Sequence, residues 1–258
     1  MGYSVKDRVI LITGASAGIG EATARTLAEA GGKLILTARR KEKLEKLANE
    51  LKEKFGTSSY TASLDVRDNA AVENFVRTLP DAWSAIDILV NNAGLGRGLD
   101  KLHEGKIADW EEMIDTNVKG LLYVSRAVIP GMVARGRGHI FNLGSIAGHE
   151  TYPGGNVYCA TKHAARAINN GMRIDLVDTP VRVTTIDPGL VETEFSVVRF
   201  RGDAERAKKP YEGIAPLRGE DIADLILFAA TRPTHVNINE MIVMPKAQAT
   251  STLVHRKV

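Results

Sequence analysis

Between residues 8 and 30 the chain passes from an apolar run through a cluster of glycines into a helical pattern, and few folds accept that order. Arg8-Val9-Ile10-Leu11-Ile12-Thr13 is short, continuously apolar and ends at a glycine, the mark of a strand buried on both faces of a parallel sheet. Gly14-Ala15-Ser16-Ala17-Gly18-Ile19-Gly20 follows, and Glu21 to Ala30 then reads as a helix. Glycines let a backbone approach a pyrophosphate closely, and a helix N-terminus offers it free N–H groups and a partial positive charge. Gly14, Ser16, Gly18, Ile19 and Gly20 are therefore candidate dinucleotide contacts, with a merely tight strand-to-helix turn as the plain alternative.

Lys33 to Thr37 reads as the second strand. An NAD site would place an acid at its end, about 20 residues past the glycines, to hold the ribose 2′-hydroxyl. Here Ala38 is followed by Arg39 and Arg40, and two guanidiniums suit a 2′-phosphate, so the expected cofactor is NADP. The alternative is that both simply open the charged helix Lys41 to Phe55; Arg39, nearer the strand end, is the preferred contact. Tyr60 to Asp65 is a third strand, with Asp65 and Val66 where the adenine of a dinucleotide would lie, although Asp65 could equally cap a helix starting near Asn69. Ile86 to Val90 is a further buried strand running into Asn91-Asn92-Ala93-Gly94.

Net charge is +3, and lysines and arginines are interleaved with acids, so no basic block points to nucleic acid. A single cysteine excludes an internal disulfide and supplies no metal cluster; His103, His139 and His149 lack metal-like partners in sequence and read as structural. Met1 to Asp7 has no apolar core of a signal peptide, and no apolar run approaches the roughly 20 residues that span a bilayer. A soluble, cytoplasmic protein is expected.

From Asp109 onward, Trp110, Met113, Ile114, Val118, Leu121 and Leu122 recur at helical spacing and define a buried stripe. Asn117 falls on that stripe, and a buried amide needs a specific partner, with a structural bond to backbone as the plain alternative to a functional role. His139 to Leu143 is the next strand, and Ser145 follows on the rim where ligands of doubly wound sheets bind. Tyr158 and Lys162 stand one helical turn apart, and an ammonium beside a phenol favours phenolate, which makes a general acid/base.

In their order and spacing, TGASAGIG, NNAG, Asn117, Ser145, Tyr158-Cys-Ala-Thr-Lys162 and Asp187-Pro188-Gly189-Leu190-Val191-Glu192-Thr193 resemble the short-chain dehydrogenase/reductase family over almost the whole chain. The resemblance implies a catalytic tetrad of Asn117, Ser145, Tyr158 and Lys162, in which Asn117 holds a water that links the lysine to solvent. It also implies cofactor contacts from Asn92, Ala93 and Gly94, from Tyr158 and Lys162, and from Pro188, Gly189, Val191 and Thr193 near the nicotinamide. The implied fold is a single-domain α/β, Rossmann-like doubly wound sheet of about seven parallel strands over residues 1–258, with residues 190–215 covering the substrate. Members commonly assemble as homotetramers through the helix that carries the Tyr-Lys pair. Two departures are Asn169-Asn170-Gly171 inside that helix and Asp187 before Pro188.

LVETEFSVVRFRGD, with Tyr211 downstream and Thr234 to Asn239 near the end, resembles the NADP-dependent 3-hydroxy acid dehydrogenases, also described as serine or L-allo-threonine dehydrogenases. The implied substrates are small 3-hydroxy acids, with His149, Tyr152, Arg199 and Arg201 as first candidates for specificity. Reduction of another carbonyl class (ketoacyl, diketone or steroid) and a non-catalytic NADP-binding regulator on the same fold are the alternatives.

Overall fold

The computed structural model describes residues 4–257, so the expected bounds of 1–258 run past it at both ends. In chain order the elements are β1 (Val9–Thr13), α1 (Gly18–Glu29), β2 (Lys33–Ala38), α2 (Lys41–Phe55), β3 (Ser59–Ser63), α3 (Asn69–Arg77), α4 (Asp81–Ser84), β4 (Ile86–Asn91) and α5 (Ile107–Ile114). Then come α6 (Leu121–Ala134), β5 (Gly138–Leu143), α7 (Asn156–Asp175), β6 (Val181–Pro188), α8 (Phe195–Arg199), α9 (Ala204–Lys208), α10 (Gly219–Ala230) and β7 (Glu240–Val243).

All seven strands pair in parallel in the order β3-β2-β1-β4-β5-β6-β7, so the chain reverses direction across the sheet between β3 and β4. Successive side chains of a strand point to opposite faces. In β1, Ile10 and Ile12 join Leu27, Leu44 and Ile226 on the face covered by α1, α2 and α10. Val9 and Leu11 join Val72, Val124 and Met172 on the face covered by α3, α6 and α7. Burial on both sides is why β1 is continuously apolar, and each such side chain contributes roughly 1.5–3 kcal/mol.

Two expectations are corrected at the level of elements. Ile114 and Leu122, assigned to the buried stripe, are each 41% exposed. A π-helical turn over Asp115–Gly120 inserts between α5 and α6 and turns Thr116, Asn117 and Gly120 inward instead. An uninterrupted 3.6-residue period does not anticipate that shift. The third strand stops at Ser63, which leaves Asp65 on the loop beyond it; the cap of α3 is Asp68, whose carboxylate accepts the Ala71 N–H at 3.0 Å. Asp65 instead forms a bidentate pair with Arg67, which holds its carboxyl below the usual range.

Asn169 is fully buried because it ends a row of amides crossing the sheet. Asn91 donates to Ser125 and to Asn142 at 2.9 Å each, and Asn142 donates to Asn169 at 2.9 Å. Gly171 has no such role within the chain, since nothing lies within 4 Å of a methyl placed there.

Candidate active site

The carboxyl ends of the strands open into one cleft of about 1060 Å³, lined from Gly14 in the glycine turn to Arg256 in the C-terminal segment. Its first wall is backbone. Gly14 and Gly18 adopt φ values of +66° and +58°, which glycine takes without strain. Gly20 does not line the cleft; a methyl there would fall 2.5 Å from the Gly14 carbonyl oxygen and 2.4 Å from Asn92 Nδ2. It is the close contact that lets α1 seat against the turn. Asn92 donates to the carbonyls of Thr13 and Gly14 at 2.9 and 3.1 Å, and Thr13 Oγ1 accepts the N–H groups of Asn92 and Ala93. The tetrapeptide Asn91–Gly94 thus ties β4 to β1 along the cleft floor. No side chain caps α1, so its first N–H groups face the cleft free to bind an anion.

Both arginines after β2 reach this wall. Arg40 Nε and Nη2 donate to Ser16 Oγ at 3.2 and 3.1 Å, and its Nη1 pairs with Glu194 at 2.8 Å. Arg39 is half exposed and 3.9 Å from Glu112, which Arg97 already neutralises. Arg40 is bonded to the glycine turn, while Arg39, the contact preferred from sequence, lines the same wall with its side chain half exposed. A dinucleotide carrying a 2′-phosphate fits this wall, with backbone N–H groups for the pyrophosphate and two guanidiniums at the end of β2.

The second wall carries the polar side chains expected to form the catalytic set. Ser145 follows β5, and α7 brings Tyr158 and Lys162 to the same floor, all three buried and lining the cleft. Lys162 Nζ lies 6.0 Å from the Tyr158 ring centre and donates to the Leu143 carbonyl at 2.8 Å. Burial lowers the lysine to about 8, opposed by the charge of Asp187. The downward pull on Tyr158 expected of Lys162 comes from other groups. Burial raises the Tyr158 phenol, and the chief opposing influence is Arg199, then the Ser145 hydroxyl. Asn117 stands behind the floor, outside the cleft lining; it donates to the Leu95 carbonyl at 2.8 Å and Thr161 Oγ1 at 3.0 Å and accepts the Leu95 N–H at 2.9 Å.

Of the four candidates for specificity, the structure gathers two at Tyr158. The Arg199 guanidinium lies 4.7 Å from the Tyr158 ring centre and 4.9 Å from that of Phe195, and its Nη2 donates to Tyr152 Oη at 3.0 Å. Its Nε is buried without a partner. Arg201 reaches the cleft but is committed to Asp109. His149 does not line the cleft at all. It turns away to Asp187 at 3.0 Å, with Glu240 3.8 Å from the same ring nitrogen, so the reading that it lacks metal-like partners is also corrected: these three side chains converge within 4.8 Å. Glu194, Asp187 and Glu240 are the residues the sequence did not single out for these roles, because their partners lie on distant strands and turns.

A family model described as short chain dehydrogenase matches residues 8–203. This chain belongs to the short-chain dehydrogenase family. An NADP-dependent 3-hydroxy acid dehydrogenase of Salmonella typhi is 53% identical over 250 residues, covering 96% of this chain and 99% of the relative. A protein of the same description from Schizosaccharomyces pombe is 46% identical over 251 residues, with 97% of each covered. Among solved structures, the closed form of a serine dehydrogenase complexed with NADP+ superimposes with a TM-score of 0.90 at 50% identity, covering 96% of this chain and 99% of that one. The seven-stranded parallel sheet is the family's dinucleotide-binding scaffold.

Proposed function

We propose that this dehydrogenase oxidises the β-hydroxyl of short 3-hydroxy acids, such as serine, L-allo-threonine and 3-hydroxypropionate, with NADP as hydride acceptor. The observation that carries the reading is Arg199, a guanidinium that lines the cleft 4.7 Å from the Tyr158 ring centre, where it can pair with the carboxylate of a 3-hydroxy acid whose alcohol meets the tyrosine. The names of the similar proteins from Salmonella typhi and Schizosaccharomyces pombe, and of the serine dehydrogenase, support it.

Ser145, Tyr158, Lys162 and Asn117 form the catalytic set. Ser145 donates a hydrogen bond to the substrate oxygen, and Tyr158 takes up or delivers its proton. Lys162 holds the cofactor ribose and passes protons on, while Asn117 keeps the lysine open to solvent through a held water. Bound NADP supplies the acceptor for hydride at its nicotinamide. The protein contributes position and electrostatics. Because burial keeps the phenol protonated at neutral pH, the tyrosine stands ready as an acid for reduction. Alcohol oxidation needs the base form and should accelerate as pH rises.

Residues 190–215 form the substrate cover. The Arg40–Glu194 pair links that cover to the cofactor wall. The protein works as a cytoplasmic homotetramer assembled through α7, where Gly171 leaves room for a neighbour and Ile174 is 72% exposed. Among the described residues no helix is long and apolar enough to cross a membrane.

The test follows the reduced-nicotinamide absorbance with NADP or NAD and a panel of L-serine, L-allo-threonine, 3-hydroxypropionate, 3-hydroxyisobutyrate and a secondary alcohol without a carboxylate. Reduction of NADP with only the hydroxy acids is the expected result. Turnover of the uncharged alcohol with the acids inert overturns the substrate class. Replacement of Tyr158 by Phe should abolish turnover while NADPH still binds, which a non-catalytic regulator would not show.

A further inference from the structure

Behind Ser145 the backbone is held by a buried carboxylate. Asp187, 1% exposed near the end of β6, accepts the Ser145 N–H at 3.1 Å and the Thr185 hydroxyl at 3.1 Å through Oδ1. Its Oδ2 faces His149 Nε2 at 3.0 Å. Ser145 and His149 are the two ends of one tight turn, closed by Gly148 N–H to Ser145 O at 2.8 Å and His149 N–H to Ile146 O at 3.0 Å. One carboxylate therefore grips both ends of the turn that presents the serine. The approach is so close that a methyl on Gly144 would fall 1.6 Å from Oδ1, and this contact explains the glycine before Ser145.

The arrangement continues outward. Glu240 on β7 lies 3.8 Å from His149 Nε2 and pairs with Arg166 of α7 at 2.9 Å. The charged groups around Asp187 are thus His149 from the turn, Lys162 and Arg166 from α7, and Glu240 from β7. Although His149, Asp187 and Glu240 converge as ligands of a cation would, Asp187 is already satisfied by three donors and Glu240 is neutralised by Arg166. The geometry is that of a hydrogen-bonded clamp.

We propose that His149 and Asp187 are positioning residues, a clamp that fixes the Ser145–His149 turn and with it the place of the serine hydroxyl opposite Tyr158. The inference rests on the dehydrogenase reading of Ser145. The clamp also has an electrostatic consequence. The Asp187 charge raises the buried Lys162 against the effect of burial, so the carboxylate that holds the Ser145 N–H also acts on the lysine.

The experiment compares the full-length wild type with His149→Ala, His149→Gln and Asp187→Asn, reading kcat, KM for NADP and for the hydroxy acid, the pH profile of kcat, and Tm. His149→Ala frees one end of the turn, and a small misplacement of a catalytic group is costly, so kcat should fall by about tenfold with KM for NADP unchanged. His149→Gln, whose amide can still donate to Oδ2, should recover most of that loss. Asp187→Asn keeps an acceptor for the Ser145 N–H but removes the charge that favours protonated Lys162, so the rising limb of the oxidation profile should move to lower pH by about half a unit. If Asp187→Asn does not fold, the two His149 variants decide alone. A kcat for His149→Ala within twofold of wild type at every pH overturns the clamp, as does a loss that glutamine does not relieve. Failure of the underlying reading looks different: the wild type itself then binds NADPH but turns over no alcohol.

Discussion

On the β1 side of the cleft recognition is written in backbone, with Gly14 and Gly18 at positive φ, Gly20 pressed against the turn and α1 seated along the two-sided core. On the far side, beyond β6, it is written in side chains. Helices α8 and α9 are only five residues each and are held by scattered contacts. Among these are Ser196 Oγ with Tyr211 Oη at 2.8 Å, Tyr211 donating to the Val191 carbonyl at 3.0 Å, Gly98 N–H to the Arg199 carbonyl at 3.1 Å, and Arg97 donating to the Val198 carbonyl. The difference suits the tasks. A cofactor shared across a family can be met by a fixed main chain, whereas discrimination among small substrates needs groups that differ from one enzyme to the next.

The sharpest way to break the contrast is to add one carbon to the backbone wall. Gly20→Ala would place a methyl against the Gly14 carbonyl with nowhere to retreat, and NADPH binding followed by fluorescence should weaken by at least about a hundredfold, with a lower Tm. On the side-chain wall, Arg199→Ala removes a fork without disturbing the main chain. Its kcat/KM for hydroxy acids should fall by roughly 30-fold, about 2 kcal/mol, while KM for NADP stays put and any slow reaction with an uncharged alcohol is spared. Arg40→Ala lies between the two, a side chain serving the backbone wall. Because it is partly exposed and shares the task with Arg39, NADPH binding should weaken by only about tenfold, with most of the preference over NADH lost.

The smallest expected change in stability belongs to Lys162, where chemistry and stability part. Lys162→Met should end turnover yet leave Tm at pH 7 equal to or above wild type, because burial disfavours the ammonium and holds it near about 8. Below that pH the lysine is protonated in folded and unfolded chains alike and the penalty is constant. Above it the folded protein releases the proton before the unfolded one does. Wild-type stability relative to Lys162→Met should therefore rise between pH 8 and the ordinary lysine range near 10.5, and a calorimetric pH series would show the converging Tm values.

The same division governs how much could be read beforehand. Gly14, Gly18 and Gly20, the buried runs that became β1, β2 and β4, and the Tyr158–Lys162 spacing were legible because each is a local pattern whose geometry follows from chain periodicity. In sequence Asp187 stands out only as a departure before Pro188, and His149 only by its position after Ser145. Their pairing needs β6 to run beside β5, which neither segment encodes alone. Arg199 and Arg201 looked equivalent in sequence. They parted only when Asp109, far upstream, claimed one of them. Asn169 is a poor helix former in sequence, and only the packing of α7 on β5 brings it to Asn142.

What the sequence by itself determined is the order of strands and helices, the glycine turn and the one-turn spacing of Tyr158 and Lys162, because hydrophobic period, glycine and residue spacing act within a few residues of themselves. Tertiary structure alone decided which guanidinium faces the tyrosine, that burial outweighs neighbouring charge in setting the Tyr158 phenol, and that Asp187 stands behind the serine. Those outcomes depend on desolvation and on contacts between segments tens of residues apart, and both come into being only when the two faces of the sheet are closed.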